Sequence, residues 1–157
     1  MKLDDLNWKI LESLQVNARQ SNTELAKKIG ISSNAVAERI KKMEEQGTIK
    51  GYTANLSFEK VGYQLKTIIT IKPAIDKYIN FIKEIRQQKE VINCFRVTGD
   101  ESYYVEAIFV NYSHLEFFLD KMLGYGLTTT YVVLSEVTYN RAIARKEDLT
   151  DYHKIEK

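Results

Sequence analysis

The sequence predicts an α+β protein with two domains, an N-terminal helix-turn-helix domain and a C-terminal ferredoxin-like domain. Two observations support this fold class. In the first fifty residues, apolar positions recur at helical spacing between residues that cap and end helices. From residue 64 to residue 139, alternating segments and helical stripes follow one another in the order βαββαβ, which is the ferredoxin-like arrangement.

Three helices are predicted in the first fifty residues. Asp4 or Asp5 can cap the first, and the segment Ser-Asn-Thr-Glu at 21–24 fits a capping box for the second. Gly30 can take the left-handed conformation that ends the second helix, and Ser32 can cap a third after a turn of about three residues. Two short helices joined by a tight turn with a glycine form a helix-turn-helix.

The third helix is predicted to bury Val36, Ile40 and Met43, which lie on one side of it, and to end at Gly47. β-Branched and aromatic residues at 49–55 then predict a short strand, so the domain is expected to be winged-helix-like. The predicted divisions of the chain are a helix-turn-helix domain at 1–51, a linker with a short strand and turn at 52–63, a βαββαβ domain at 64–139, and a charged C-terminal tail at 140–157.

The second domain is predicted from segments that alternate between strand and helix periodicity. They are a strand at 65–72, a helix with Ile75, Ile79, Ile82 and Arg86 at helical spacing, strands at 91–97 and 103–110, a helix with Leu115, Phe118, Leu119 and Met122 on one side, and a strand at 128–137. Both helices are expected on one face of the sheet.

The other face of this sheet is expected to be open and apolar in a monomer. If the alternation holds, it includes Ile68, Tyr104, Ile108 and Val133. Because exposed apolar patches of that size are unusual on monomers, the sequence predicts a homodimer joined through the sheet.

Composition excludes several classes of protein. No apolar run approaches the ~18 residues that span a bilayer, and the N-terminus lacks the apolar core of a secretion signal, so a cytoplasmic protein without a membrane partner is expected.

Cys94, the single cysteine, is predicted to be a small core residue. His114 and His153 are too far apart in sequence for a metal motif, so no metal or cofactor is expected. Neither histidine has a local catalytic partner and no glycine-rich phosphate loop is present, so no catalytic site and no enzyme activity are predicted.

The excess positive charge is confined to the N-terminal third. Residues 1–55 carry nine Lys and Arg against seven Asp and Glu, whereas residues 56–157 carry fourteen of each. This bias is too mild for binding of nucleic acid through charge alone, so DNA binding must follow from geometry.

With these elements in place, the chain resembles the Lrp/AsnC family of bacterial and archaeal regulators, also called feast/famine regulatory proteins. The N-terminal match consists of Leu3-Asp4, Ile10-Leu11, Ala18-Arg19, Glu24-Leu25-Ala26, Gly30-Ile31-Ser32, Ala35-Val36, Arg39-Ile40, Met43, Gly47, Ile49, Gly51 and Tyr52. A looser match in the second half consists of Thr98-Gly99-Asp100, Gly124, Thr128, Thr130 and Val133-Leu134. The resemblance implies dimers joined through the sheet, often assembled into tetramers or octamers, with amino acids or related metabolites bound near the contact between dimers.

The exposed face of the third helix supplies the candidate contacts to DNA bases. Asn34 can form a bidentate contact to adenine, Ser33 can bond a base or a phosphate, and Ala37 can touch a thymine methyl group. Glu38 can accept from cytosine N4, or it can be a solvated charge paired with Lys42.

Basic residues on and near this helix are candidates for phosphate contacts, which set the register without selecting the sequence. Lys41 is the foremost of them, with Lys42, Lys27 and Lys50 as further candidates. Arg39 corresponds to an arginine of the family and either contacts DNA or pairs with a carboxylate inside the domain.

The candidate effector site comes from turns and strands of the second half. Backbone N–H groups at Gly99 can approach a carboxylate, and Thr128 and Thr130 add hydroxyl groups, although these residues also suit ordinary turns and strands. Most ligand-responsive relatives carry an aspartate for the amino group where this chain has Ser102. An α-amino group therefore needs a substitute partner, either Asp100 or Glu101. The predicted site also includes Tyr103.

The function predicted from these features is sequence-specific transcription regulation. Its partners would be double-stranded DNA, a second copy of the chain in an even-numbered assembly and, as a possibility, an amino-acid effector. Two alternatives stay open: a metabolite-binding assembly protein without operator binding, and an RNA-binding module that stacks bases on Tyr103 or Tyr104. Residues 99–105 lack the basic-glycine-aromatic motif of RNA-recognition sheets.

Overall fold

The computed structural model describes residues 3–149 of the chain, and these form two compact units. The helical unit combines the residues up to Ala54 with those from Thr138 onward, and the sheet unit is Asn55–Val137. The segment from Thr138 therefore returns to the helical unit, whereas the sequence suggested a separate tail at 140–157. Residues 150–157 of that tail lie outside the described residues.

Three helices form the helical unit: α1 at Asp5–Val16, α2 at Asn22–Ile29 and α3 at Ser33–Glu45. The predicted caps are confirmed. The Asp4 carboxylate accepts from the Asn7 N–H at 2.8 Å, residues 21 and 24 form a complete capping box, and the Ser32 hydroxyl accepts from the N–H of residue 35. Gly30 ends α2 with a φ of 83°, in the left-handed region that favours glycine.

The helical unit has a small core of five buried side chains, Ile10, Leu25, Ala26, Val36 and Met43. The strand predicted at 49–55 is wrong. Extended residues form a strand only when a neighbouring strand takes their hydrogen bonds, and none does so here within the described residues. Ile49 packs on the helical core instead, and the Tyr52 hydroxyl donates to Glu44 at 2.9 Å.

The sheet unit has the predicted order βαββαβ. Its elements are β1 at Leu65–Pro73, α4 at Tyr78–Ile85, β2 at Val91–Arg96, β3 at Tyr103–Phe109, α5 at Tyr112–Leu123 and β4 at Gly126–Val132. The four strands form one sheet in the order β2-β3-β1-β4, and each neighbouring pair is antiparallel. β2 and β4 are therefore the two edges.

One face of the sheet and the two helices enclose a core of twelve buried residues, more than twice the number in the helical unit. The stripe predicted for α5 is confirmed, but the stripe predicted for α4 is wrong. Ile75 is 98% exposed in a short 3₁₀ turn and Ile79 is 61% exposed, whereas Phe81 and Ile85 are buried. The inward stripe of α4 is therefore the one that contains Phe81 and Ile85, because this orientation places the large Phe81 ring in the core.

Cys94 is exposed, so its prediction as a core residue is also wrong. It pairs with Val105 on β3, yet it lies on an edge strand whose residues are almost all exposed. The alternation of side chains along a strand predicts which face of the sheet a residue lies on, but not whether a helix covers that face at the edge of the sheet.

Candidate nucleic-acid interface and ligand pocket

The α3 helix presents one polar side to solvent. Val36 and Met43 are buried against the helical core, and Asn34, Glu38 and Lys41 on the opposite side are exposed. The spacing of four and three residues places these three side chains along one line. The other predicted base contacts, Ser33 and Ala37, are half-buried at the flank of this surface.

Asn34 is the most available hydrogen-bonding group on this surface. Its side-chain amide makes no hydrogen bond within the described residues, so both its donor and its acceptor are open to an adenine edge. The Ser33 hydroxyl lies 3.5 Å from the Thr23 hydroxyl on α2, at the limit of a hydrogen bond.

Four charged residues of α3 form two pairs along the helix. Lys42 donates to Glu38 at 2.7 Å, and Lys41 lies 3.8 Å from Glu45, each pair one helical turn apart. The hydrogen bond from Lys42 holds the pKa of Glu38 below its usual range. Glu38 thus occurs in the paired state that was the alternative to a cytosine contact. Exposed pairs of this kind contribute little stability, so a phosphate group can compete for either lysine.

Arg39 does not belong to this exposed line. Its Nη1 donates to the Asp4 carboxylate at 2.7 Å and to the Asn7 side chain at 2.9 Å. Of the two roles considered for Arg39, the structure shows the pairing with a carboxylate. The contact ties α3 to the N-terminus of α1 and so fixes the orientation of the exposed face.

The C-terminal segment contacts α1, which was not predicted from the sequence. The Arg145 guanidinium bonds Asp5 at 3.0 Å and Glu12 at 3.1 Å, and it lies 5.7 Å from the centre of the Trp8 ring. The Ile143 N–H also donates to a side chain of α1, that of residue 15, at 2.7 Å. No local pattern predicts pairs separated by more than 120 residues.

A second candidate site is an open depression of about 470 Å³ beside the β2–β3 hairpin. Gly99 shapes the hairpin with a φ of 113°, and the Val97 N–H donates to the Ser102 carbonyl at 3.0 Å to close it. The depression is lined by Pro73, Ile75, Tyr78, Arg96, Val97, Thr98, Gly99, Glu101 and Ser102. Arg96 and Glu101 give it one positive and one negative side chain, which is the charge pattern of a zwitterion.

The structure separates the residues predicted for the effector site. Gly99 and Ser102 line the depression, but Asp100, Tyr103, Thr128 and Thr130 do not. Tyr103 faces the core and is 3% exposed. Thr128 pairs with Ile71 on β1, so it lies two strands from β3, at about 10 Å.

Residues 3–149 contain neither a membrane-spanning helix nor a cluster of metal ligands. No helix there has the length and apolarity that crossing a membrane requires. No group of three or more His, Cys, Asp or Glu side chains in the same range is arranged to hold a metal ion.

Known proteins match both halves of the chain. A family described as winged helix-turn-helix DNA-binding matches residues 3–50, and the Lrp/AsnC ligand binding domain matches residues 66–143. The HTH-type transcriptional regulator YezC of Bacillus subtilis is 35% identical over 85% of this chain and 94% of its own. The leucine-responsive regulatory protein of Haemophilus influenzae is 34% identical over 92% of this chain and 91% of its own.

Solved structures agree with these sequence matches. A transcriptional regulator of Neisseria meningitidis in complex with L-Met has a TM-score of 0.86 and 30% identity, covering 94% of this chain and 100% of that one. LrpC of Bacillus subtilis has a TM-score of 0.84 and 30% identity, covering 88% of this chain and 99% of that one. The matches are to transcriptional regulators rather than to enzymes.

Proposed function

The chain belongs to the Lrp/AsnC family of transcriptional regulators, and on that basis we propose that it binds operator DNA as a dimer through α3 and responds to an amino acid at the hairpin depression. The observation that carries the DNA proposal is the open amide of Asn34 on the exposed side of α3. In a dimer, two such helices enter successive major grooves on one side of the duplex. Half-sites about one helical turn apart, or a multiple of it, follow from that geometry.

The open face of the sheet supports the dimer. Tyr131 on β4 and Phe95 on β2 are 57% and 56% exposed, and Ile68 between them is half-buried. Lys66 forms ion pairs with Glu106, at 2.6 Å, and with Glu136. Exposed aromatic side chains beside satisfied charges are typical of an interface, and two copies related by a twofold axis would cover this face on both. Assembly into a higher even-numbered oligomer is part of the same proposal.

The hairpin depression suits an α-amino acid. Arg96 can hold the carboxylate and Glu101 the ammonium group, so Glu101 replaces the aspartate that relatives carry at the position of Ser102. The L-Met bound by the Neisseria regulator supports this class of ligand. Thr128 and Thr130 lie away from the depression of their own chain, so they would contribute only from a second copy.

The RNA-binding alternative loses one of its two aromatic candidates. Tyr103 is buried against the helices, so only Tyr104, 40% exposed on the other face, is accessible to a base. The other alternative, a metabolite-binding assembly protein without operator binding, makes a different prediction. Substitutions on α3 should then leave the binding of every nucleic acid unchanged.

Binding isotherms on operator and scrambled duplexes test the DNA proposal. Asn34→Ala should cost roughly 1 to 3 kcal/mol on the operator only and relax base preference at one position per half-site. Lys41→Ala should weaken all duplexes alike and reduce the slope of log affinity against log salt by about one. Asn80→Ala, on an exposed helix face of the other unit, is the matched control. Unchanged operator affinity and preference in Asn34→Ala would rule out recognition through that residue.

Calorimetric titration with L-methionine tests the effector proposal. Glu101→Gln keeps the shape of the side chain but removes the charge that faces the ammonium group, and should cost about 1.5 to 3 kcal/mol of binding. Asp100→Asn is the matched control, because this neighbouring carboxylate does not line the depression. Equal losses in both variants would indicate a general charge effect and contradict the assignment to Glu101.

A further inference from the structure

A separate open groove of about 570 Å³ lies between α4 and the edge strand β2 of the sheet unit. Its floor is apolar: Ile85 and Tyr103 are each 3% exposed, and Ile82 is half-buried. The groove borders the hairpin depression and shares only Tyr78 and Arg96 with it. Nothing in the proposed function requires it.

Three cations surround this floor, Lys83, Arg86 and Arg96. All three are exposed, and none of them forms an ion pair within the described part of the chain. Arg96 lies over the Tyr78 ring, 5.6 Å from its centre. Among the described residues, no carboxylate lines the groove. The uncompensated charge favours a negatively charged occupant.

The Tyr103 hydroxyl is an unsatisfied polar group at this floor. It is buried and has no hydrogen-bond partner, while its ring packs 5.0 Å from the Phe81 ring. Burial, together with the nearby Tyr78 side chain, which does not reach hydrogen-bond geometry, raises the pKa of Tyr103 to about 12. The hydroxyl therefore stays protonated and able to donate. A buried donor without a partner is costly, and an anionic oxygen would remove that cost.

We propose that this groove binds a small organic anion that combines a carboxylate with an apolar body and carries no ammonium group. The carboxylate accepts from Arg86 and from the Tyr103 hydroxyl, and the body packs against Ile82 and Ile85. An ammonium group would meet only cations here, whereas in the hairpin depression it meets Glu101. The two neighbouring sites thus select ligands of different charge.

Cys94 provides a direct measure of occupancy, because it is the single cysteine of the chain and lines this groove. The experiment follows alkylation of Cys94 by N-ethylmaleimide in the full-length protein. The probe is 3-phenylpropanoate, and L-phenylalanine, which differs from it only by the α-amino group, is the matched ligand control. At ten times its dissociation constant, 3-phenylpropanoate should slow alkylation about tenfold by mass action. L-Phenylalanine and inorganic phosphate at the same concentration should leave the rate unchanged.

Substitutions then assign the contacts. Tyr103→Phe removes only the hydroxyl, Arg86→Gln removes one exposed cation, and each should weaken 3-phenylpropanoate about tenfold, as expected for a hydrogen bond to a charged group. Lys89→Gln, an exposed cation outside the groove, and Glu101→Gln should not change this affinity. No protection by 3-phenylpropanoate, equal protection by L-phenylalanine or phosphate, or full affinity in both Tyr103→Phe and Arg86→Gln would each overturn the proposal.

Discussion

The helical unit and the sheet unit use their side chains in opposite ways. The helical unit has a core of five buried residues and surrounds it with satisfied polar groups, including the capping box and the ion pair of Arg39 with Asp4. The sheet unit has twelve buried residues and still leaves large apolar side chains such as Tyr131 in water. The difference fits the dimer proposed above, in which a second copy of the chain would cover the open face of the sheet unit.

The largest expected effect is loss of the sheet core. Phe109 is fully buried, with its ring centre 5.2 Å from that of Phe118, so Phe109→Ala should cost about 3 to 5 kcal/mol. Trp8, the single tryptophan, lies in the helical unit and reports that unit by fluorescence. In Phe109→Ala, the thermal transition followed by far-ultraviolet circular dichroism should occur at a lower temperature than in wild type. The transition followed by Trp8 fluorescence should keep its midpoint. Equal shifts of both signals would contradict two separately stabilised units.

The next effect tests completion of the sheet unit by a partner. Tyr131→Lys places a charge on the open face and should weaken assembly by about 2 kcal/mol or more, as for an anchoring aromatic residue of an interface. Light scattering over a concentration series should show dissociation to monomers with an unchanged circular dichroism spectrum. Lys60→Ala, an exposed charge change away from the strands, is the control. A wild-type protein that is monomeric at micromolar concentration would remove the basis of this prediction.

The smallest effect concerns the surface contacts of the helical unit. The Asn7 N–H, followed by Arg39, lowers the pKa of Asp4 from its ordinary value of 3.8. A carboxyl group with a lowered folded pKa stabilises the fold above its unfolded pKa, and this stabilisation is lost as the pH falls through the folded value. Asp4→Asn keeps a capping side chain but removes the charge. At neutral pH, the midpoint of thermal unfolding followed by Trp8 fluorescence should be lower for Asp4→Asn than for wild type. This difference should disappear as the pH falls below 3.8. A difference independent of pH would contradict the role of the ion pair.

Features encoded within a few residues were predictable from the sequence. The caps at Asp4, Ser21 and Ser32 and the stop at Gly30 form as expected, because each is a hydrogen bond or backbone preference inside one turn of chain. The order of the six elements of the sheet unit also follows from local periodicity. The exposed line of α3 was predictable for the same reason, since Val36 and Met43 alone define the opposite face.

Features that depend on distant partners were not predictable. The isoleucines at helical spacing predicted the wrong inward face of α4, because only the packing against the sheet places Phe81 in the core. The extended segment at 49–55 found no strand to pair with within the described residues, and Cys94 fell on an uncovered edge. The effector residues were grouped from separate turns and strands, and only the three-dimensional register shows that Thr128 is two strands from the hairpin.

In the order of the chain, the sheet unit is an insertion into the helical unit, which the chain leaves at Ala54 and rejoins at Thr138. A fragment cut at Ala54 would therefore leave Asp5 and Glu12 without Arg145. Grafting this DNA-binding head onto another protein requires both stretches, either as an interrupted gene fusion or as a circular permutant that joins the returning segment to α1. A graft that ended at Ala54 would be incomplete, because it would lack the returning segment from Thr138.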